Sequence, residues 1–137
     1  MGVVHHAAYI AWLELGRTEL LRDAGVSYAA MEREGCFLVI VRLECKYRRP
    51  GHYDDLIEVR TRVTDGSRVR IDHHYDVCRV SEQHPDHPVE LLMTASTTLA
   101  CVDAQGRVRP LPDWLAESVE RARNAGLRDL AVQTGSP

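Results

Sequence analysis

From Ala7 to Leu13 nearly every side chain is apolar (Ala7, Ala8, Tyr9, Ile10, Ala11, Trp12, Leu13), and a polar face opens only from Glu14, with Arg17, Thr18 and Arg22. A helix that is apolar all round in its first turns predicts a buried one. Gly25, following Asp23 and Ala24, is a natural C-cap and marks its end. A second short helical stretch covers Ser27 to Glu34, after which the period switches from helical to two. Phe37, Val39, Val41, Leu43, Cys45 and Tyr47 then fall on one face, and Arg42, Glu44, Lys46 and Arg48 on the other, until Pro50-Gly51 ends the strand. Ile57, Val59, Thr61 and Val63 alternate with Glu58, Arg60 and Arg62 up to Asp65-Gly66, a hairpin signal, and the partner strand carries Val69, Ile71, His73, Tyr75 and Val77. The stretch His84 to Pro88 reads as a loop, and Leu91 to Val102 as a strand with small or apolar residues on both faces, hence central. Asp103-Ala104-Gln105-Gly106 makes a turn, and Pro112 with Asp113 opens a last amphipathic helix containing Trp114, Leu115 and Val119 and ending near Gly126.

One buried helix followed by four antiparallel strands, joined mostly by hairpins, predicts an α+β fold whose sheet wraps the helix. A chain of 137 residues that is 45% hydrophobic suits one domain with a single core, placed here over residues 1–126, with 127–137 as a disordered tail. The formal charge of -3, from 17 basic and 20 acidic side chains interspersed along the chain, gives no net field for nucleic acid or an anionic membrane. No apolar run approaches the roughly 20 residues that span a bilayer, and no signal peptide is visible, so a cytoplasmic protein without membrane insertion is expected. Cys36, Cys45, Cys78 and Cys101 lie far apart with no C-x-x-C, which points to reduced, mostly buried thiols rather than zinc ligands or a disulfide framework.

The sequence opens on Gly2-Val3-Val4-His5-His6 and runs straight into the apolar helix, which carries Tyr9, Glu14, Arg17, Glu19, Leu21 and Arg22. These residues resemble the opening of the hotdog-fold 4-hydroxybenzoyl-CoA thioesterase family, in particular its Tol-Pal-associated acyl-CoA thioesterase branch: D-x-D-x-x-G-V-V-x-H-x-x-Y, then E-x-x-R-x-E-x-L-R. Similarity continues through Ser27, the strand with Glu44 and Tyr47, the Asp54-Asp55 pair, and Thr97 to Asp103. The resemblance implies an antiparallel sheet around a long central helix, a homodimer assembled further into a tetramer, and hydrolysis of acyl-CoA without metal or cofactor. By the family's spacing, the catalytic aspartate and the N-terminal strand that carries it fall before Met1. The expectation is therefore a start placed too late, a missing strand, and a sheet edge with unpaired backbone groups.

Thioester hydrolysis needs charge stabilisation at the carbonyl oxygen and a carboxylate that attacks the carbonyl or activates water. The helix start can supply the first through the free N–H groups and positive dipole end around His5 to Ala7. Gly2 would let the backbone approach the substrate closely, and Val4, His5 and Tyr9 join it as binding candidates. His6 is a catalytic candidate, through its backbone N–H more than its imidazole. Glu14 is the candidate carboxylate, but it lies about 12 Å along the helix from His6, too far within one subunit. The antiparallel helix pairing that the resemblance implies could bring it across a dimer; the bland alternative, an Arg17 ion pair at i,i+3, is favoured. Arg68 and Arg70 lie where relatives grip CoA phosphates, with Lys46, Arg48 and Arg49 as further candidates, and solvated surface charge is at least as good a reading for each. His73 reads as a satisfied core or interface histidine, and His74, His84 and His87 fit no ligand spacing. Two rival functions stay open: a non-catalytic acyl-CoA binding module, and a hotdog dehydratase acting on a hydroxyacyl thioester.

Overall fold

The computed structural model of the chain describes residues 3–80, 88–126 and 128–133. Its elements in order are α1 (His6–Asp23), α2 (Tyr28–Arg33), β1 (Phe37–Tyr47), β2 (Leu56–Gly66), β3 (Arg70–Val80), β4 (Pro88–Val102), α3 (Asp113–Ala125) and β5 (Arg128–Gln133). The strands form one antiparallel sheet in the order β1-β4-β3-β2-β5, with α1 packed on one face: a hotdog fold. β4 lies between β1 and β3, as its apolar character on both faces predicts. The loop expected from His84 to Pro88 falls almost wholly outside the described residues, and β4 begins at Pro88.

α1 stops where its sequence says it should. Gly25, at φ 90°, bonds its N–H to the Arg22 carbonyl at 3.0 Å, and Val26 bonds to Leu21 at 2.9 Å, which satisfies the last carbonyls in a Schellman arrangement. The first half of the helix buries Tyr9, Trp12 and Leu13 against Ile57, Val59, Tyr75, Val77 and Met93. The second half buries Leu20 and Leu21 with Val63, Ile71 and Leu99, where Leu115 and Val119 of α3 close the same core. The prediction of burial all round is corrected, because Ala7, Ala11 and Leu15 stay exposed in the single chain.

β1 departs from the simple alternation. Its register with β4 slips between Ile40 and Arg42, leaving Val41 as the extra residue of a bulge. Because one residue inverts a strand's phase, the inner face is Leu38, Ile40, Leu43, Cys45 and Tyr47, across from Cys101, Leu99, Thr97, Ala95 and Met93. Phe37 and Val39 therefore lie on the face opposite to that predicted. The β2–β3 turn is displaced as well: a bulge after Val63 carries β2 through Asp65 and Gly66, and the chain reverses at Ser67–Val69.

Residues 128–133, read from the sequence as tail, form β5 on the edge of β2, from Leu56↔Gln133 to Thr61↔Arg128. A strand edge offers a row of unsatisfied N–H and C=O groups to any compatible segment. Six residues are too few to show a period of their own. The edge of β2 is thus covered; the remainder of the expected tail lies outside the described residues.

Candidate active site at the start of the central helix

The N-cap of α1 is His5, whose Nδ1 accepts the Ala7 N–H at 3.2 Å, while the Ala8 N–H returns to the His5 carbonyl at 3.0 Å. Among the described residues nothing accepts the His6 N–H, and the first turn contains no acidic residue. Among the described residues the positive end of the helix dipole therefore meets no acid, and one donor there has no acceptor. The His5 and His6 rings stack at 4.3 Å between centroids and are both exposed.

The loop after β1 is laced to this helix start. Val4 N–H reaches the Gly51 carbonyl at 2.8 Å, Val3 bridges His52, and Gly51 N–H donates to the Tyr9 hydroxyl at 2.9 Å. A Cβ at position 51 would lie 2.9 Å from that hydroxyl, so glycine is what permits the approach. Between the two segments lies a cavity of about 320 Å³, walled by Val3, Val4, His6 and Tyr9 on one side and Tyr47, Arg48, Arg49 and Pro50 on the other. Tyr47 meets Tyr9 edge to face at 5.5 Å. Arg49 is held 3.0 Å from Glu90, which also pairs with Arg79, whereas Arg48 forms no ion pair among the described residues.

The structure brings together Val4, His6, Tyr9, Arg48 and Arg49 from the predicted set. Gly2 lies outside the described residues, and His5 caps the helix beside the cavity. Glu14 is exposed at the rim of a second cavity of about 360 Å³, whose walls include Tyr28, Leu38, Ile40 and Leu99. Among the described residues no carboxylate lines the helix-start cavity. Arg68 and Arg70 sit at the hairpin beyond the far end of α1: Arg68 beside Leu111 and Val119, Arg70 between Asp65 at 3.5 Å and Asp72 at 3.2 Å. Lys46 lies on the outer sheet face with Glu44, His74 and Ser96.

The favoured pairing of Glu14 with Arg17 is corrected: among the described residues the two form no ion pair. Arg17 is buried against the sheet and donates to the Tyr75 hydroxyl at 3.4 Å, which sits 2.8 Å from the Thr97 hydroxyl. His73 is fully buried as predicted, but among the described residues neither ring nitrogen has a hydrogen-bond partner. Burial and the nearby Arg17 charge push its pKa down to about 3. Sequence periodicity foretold neither this polar cluster nor the role of Tyr47 as a cavity wall; the abrupt Arg48-Arg49-Pro50-Gly51 break was the available hint of the latter.

Residues 1–119 match the thioesterase-like superfamily. The chain belongs to that superfamily. Over 120 residues it is 31% identical to YneP of Bacillus subtilis, a candidate acyl-CoA thioesterase by name, with 83% of this chain and 81% of that protein covered. Hypothetical protein TT1821 of Thermus thermophilus has a TM-score of 0.76 at 30% identity, covering 89% of this chain and 88% of that one. The DHNA-CoA thioesterase of Staphylococcus aureus has a TM-score of 0.74 at 28% identity, covering 91% and 84%. The matched residues include α1, β1 to β4 and the segments that line the helix-start cavity. No helix among the described residues is long and apolar enough to cross a membrane.

Proposed function

We propose that this protein is an acyl-CoA thioesterase of the Tol-Pal-associated type, and the observation that carries the reading is the open start of α1. His6, whose N–H has no acceptor among the described residues, lines a cavity together with Arg48, in a chain of the thioesterase-like superfamily. The His6 N–H receives the thioester oxygen as negative charge develops there. Arg48 takes the CoA phosphates, since a planar guanidinium that has no acid partner among the described residues matches a phosphate's paired oxygens. Arg68 and Arg70 serve at most from a second subunit.

The carboxylate is Glu14 of a second copy. Ala7, Ala11 and Leu15 expose the outer side of α1, and Ile40, Val41 and Leu43 expose the neighbouring strand, an apolar strip that a homodimer covers. Two α1 helices crossing antiparallel near Ile10 and Ala11 set His6 of each opposite Glu14 of the other, and small Ala11 lets the axes approach. Glu14 then takes a proton from water as its oxygen bonds to the carbonyl carbon. The C–S bond breaks as the tetrahedral intermediate collapses, releasing CoA and the free acid. Further pairing of dimers gives a tetramer, and the chemistry calls on no metal or cofactor.

Release of free CoA from a panel of acyl-CoA thioesters, followed with a thiol reagent, tests the reading. Glu14→Gln should lower kcat about a hundredfold or more with KM little changed, the pattern of a lost general base. An unchanged kcat removes Glu14 from the mechanism. The helix-start cavity, whose described lining is Val3, Val4, His6, Tyr9, Tyr47, Arg48, Arg49 and Pro50, is also compatible with a second reading, a non-catalytic acyl-CoA binding module. Tight acyl-CoA binding without CoA release would establish that alternative. A dehydratase would instead change the acyl group and leave the thioester intact.

A further inference from the structure

Among the described residues Arg17 has no counter-charge. It is 7% exposed, and among the described residues its fork makes one long hydrogen bond, to a neutral phenol at 3.4 Å. A guanidinium carries five N–H donors in a rigid plane and is not deprotonated in proteins, so most of its hydrogen-bonding capacity is idle. The groups around it do not make up the deficit. His73 and Thr61 are buried with unpartnered polar atoms, and Thr97 and Tyr75 bond one another. Glu14, one turn away on α1, is exposed at the cavity that both residues line and forms no ion pair with Arg17 among the described residues.

The cavity that Arg17 helps to line is otherwise walled largely by apolar groups, Tyr28, Leu38, Ile40 and Leu99, with Glu14 at its rim. Its volume of about 360 Å³ accommodates a small organic group rather than a water or two. We infer that this cavity binds a carboxylate carried on a short apolar body, with Arg17 as its anchor. The inference rests on the thioesterase reading for its natural ligand: an acyl group whose far end bears a carboxylate, so that the substrate is the monothioester of a dicarboxylic acid. The thioester lies at the mouth beside Glu14, the methylenes lie against Leu38, Ile40 and Leu99, and the terminal carboxylate meets the fork. A single negative charge suits the site better than a phosphate dianion, because one guanidinium balances one charge and Glu14 already stands at the rim.

Adipoyl-CoA and hexanoyl-CoA have acyl chains of equal length and differ in that terminal group. The wild-type protein should prefer adipoyl-CoA in kcat/KM by about tenfold or more, the scale of a charge-assisted hydrogen-bonded pair. Arg17→Met should reduce the adipoyl-to-hexanoyl ratio by a similar factor. Tyr28→Trp, at a cavity-wall position 39% exposed and outside the proposed dimer strip, should do the same by narrowing the cavity. A wild-type ratio of one or less, or a ratio that both variants leave unchanged, overturns the inference. If neither thioester is hydrolysed, it is the thioesterase reading that fails, and free adipate then tests the anion site by itself. A rise in Tm with adipate but not hexanoate, lost in both variants, supports the site; no rise in the wild type overturns it.

Discussion

His5 and His73 show how one residue type acquires opposite roles from its surroundings. His5 is exposed and uses a ring nitrogen where serine or aspartate commonly stands, accepting the Ala7 N–H. His5→Ala should therefore destabilise the fold by about 0.5–1 kcal/mol in urea denaturation, and His5→Ser should restore most of that. His73 lies under α1 with both nitrogens unpartnered, and its pKa is lowered from 6.5 to about 3. Below pH 6.5 the unfolded chain takes up a proton that the native state refuses, so stability falls as pH falls, until the native imidazole itself protonates near 3. The contribution is at most about 1.4 kcal/mol per pH unit over that window and vanishes above it. Denaturation midpoints measured from pH 7 to 4 should decline more gently for His73→Phe than for the wild type.

At the scale of elements, two local features position the site. The bulge at Val41 turns Leu38 and Ile40 inward, which puts apolar walls on the cavity beneath Glu14. The hydrogen bond from Gly51 to Tyr9 fixes the loop that carries Arg48 and Arg49 against the first turn of α1. Tyr9→Phe leaves the buried Gly51 N–H without an acceptor and should cost about 1–3 kcal/mol, with a raised KM for acyl-CoA as the loop loosens. Gly51→Ala displaces the same hydroxyl. The double variant should therefore cost clearly less than the sum of the two singles, and additive losses would show that the contact is not shared.

For the molecule as a whole, the outer side of α1 and the edge strand β1 pose one problem among the described residues: apolar side chains and unpaired backbone in water. The proposed dimer resolves it and completes the site. Leu43→Arg, at a position 41% exposed, should leave the single chain folded by circular dichroism. In light scattering its mass should halve, and hydrolysis should be lost with it. A folded species of half the mass with full activity would place the catalytic carboxylate within one chain.

The helix limits and the existence of the sheet were legible in the sequence because each depends on local chemistry: Gly25 after α1, Pro112 before α3, and alternation through β2 and β3. The helix-start motif was legible for the same reason, since its N–H groups are produced by the backbone. What the order of residues could not reveal was decided by contacts between distant segments. Pairing with β4 selects the bulge in β1, and β5 acquires its strand from the edge of β2. The direction in which Arg17 points is set by Tyr75, 58 residues away, rather than by Glu14 in the preceding turn. Periodicity reports which face a residue occupies, whereas burial, register and partner choice are properties of the packed sheet and arise only when all of its strands are in place.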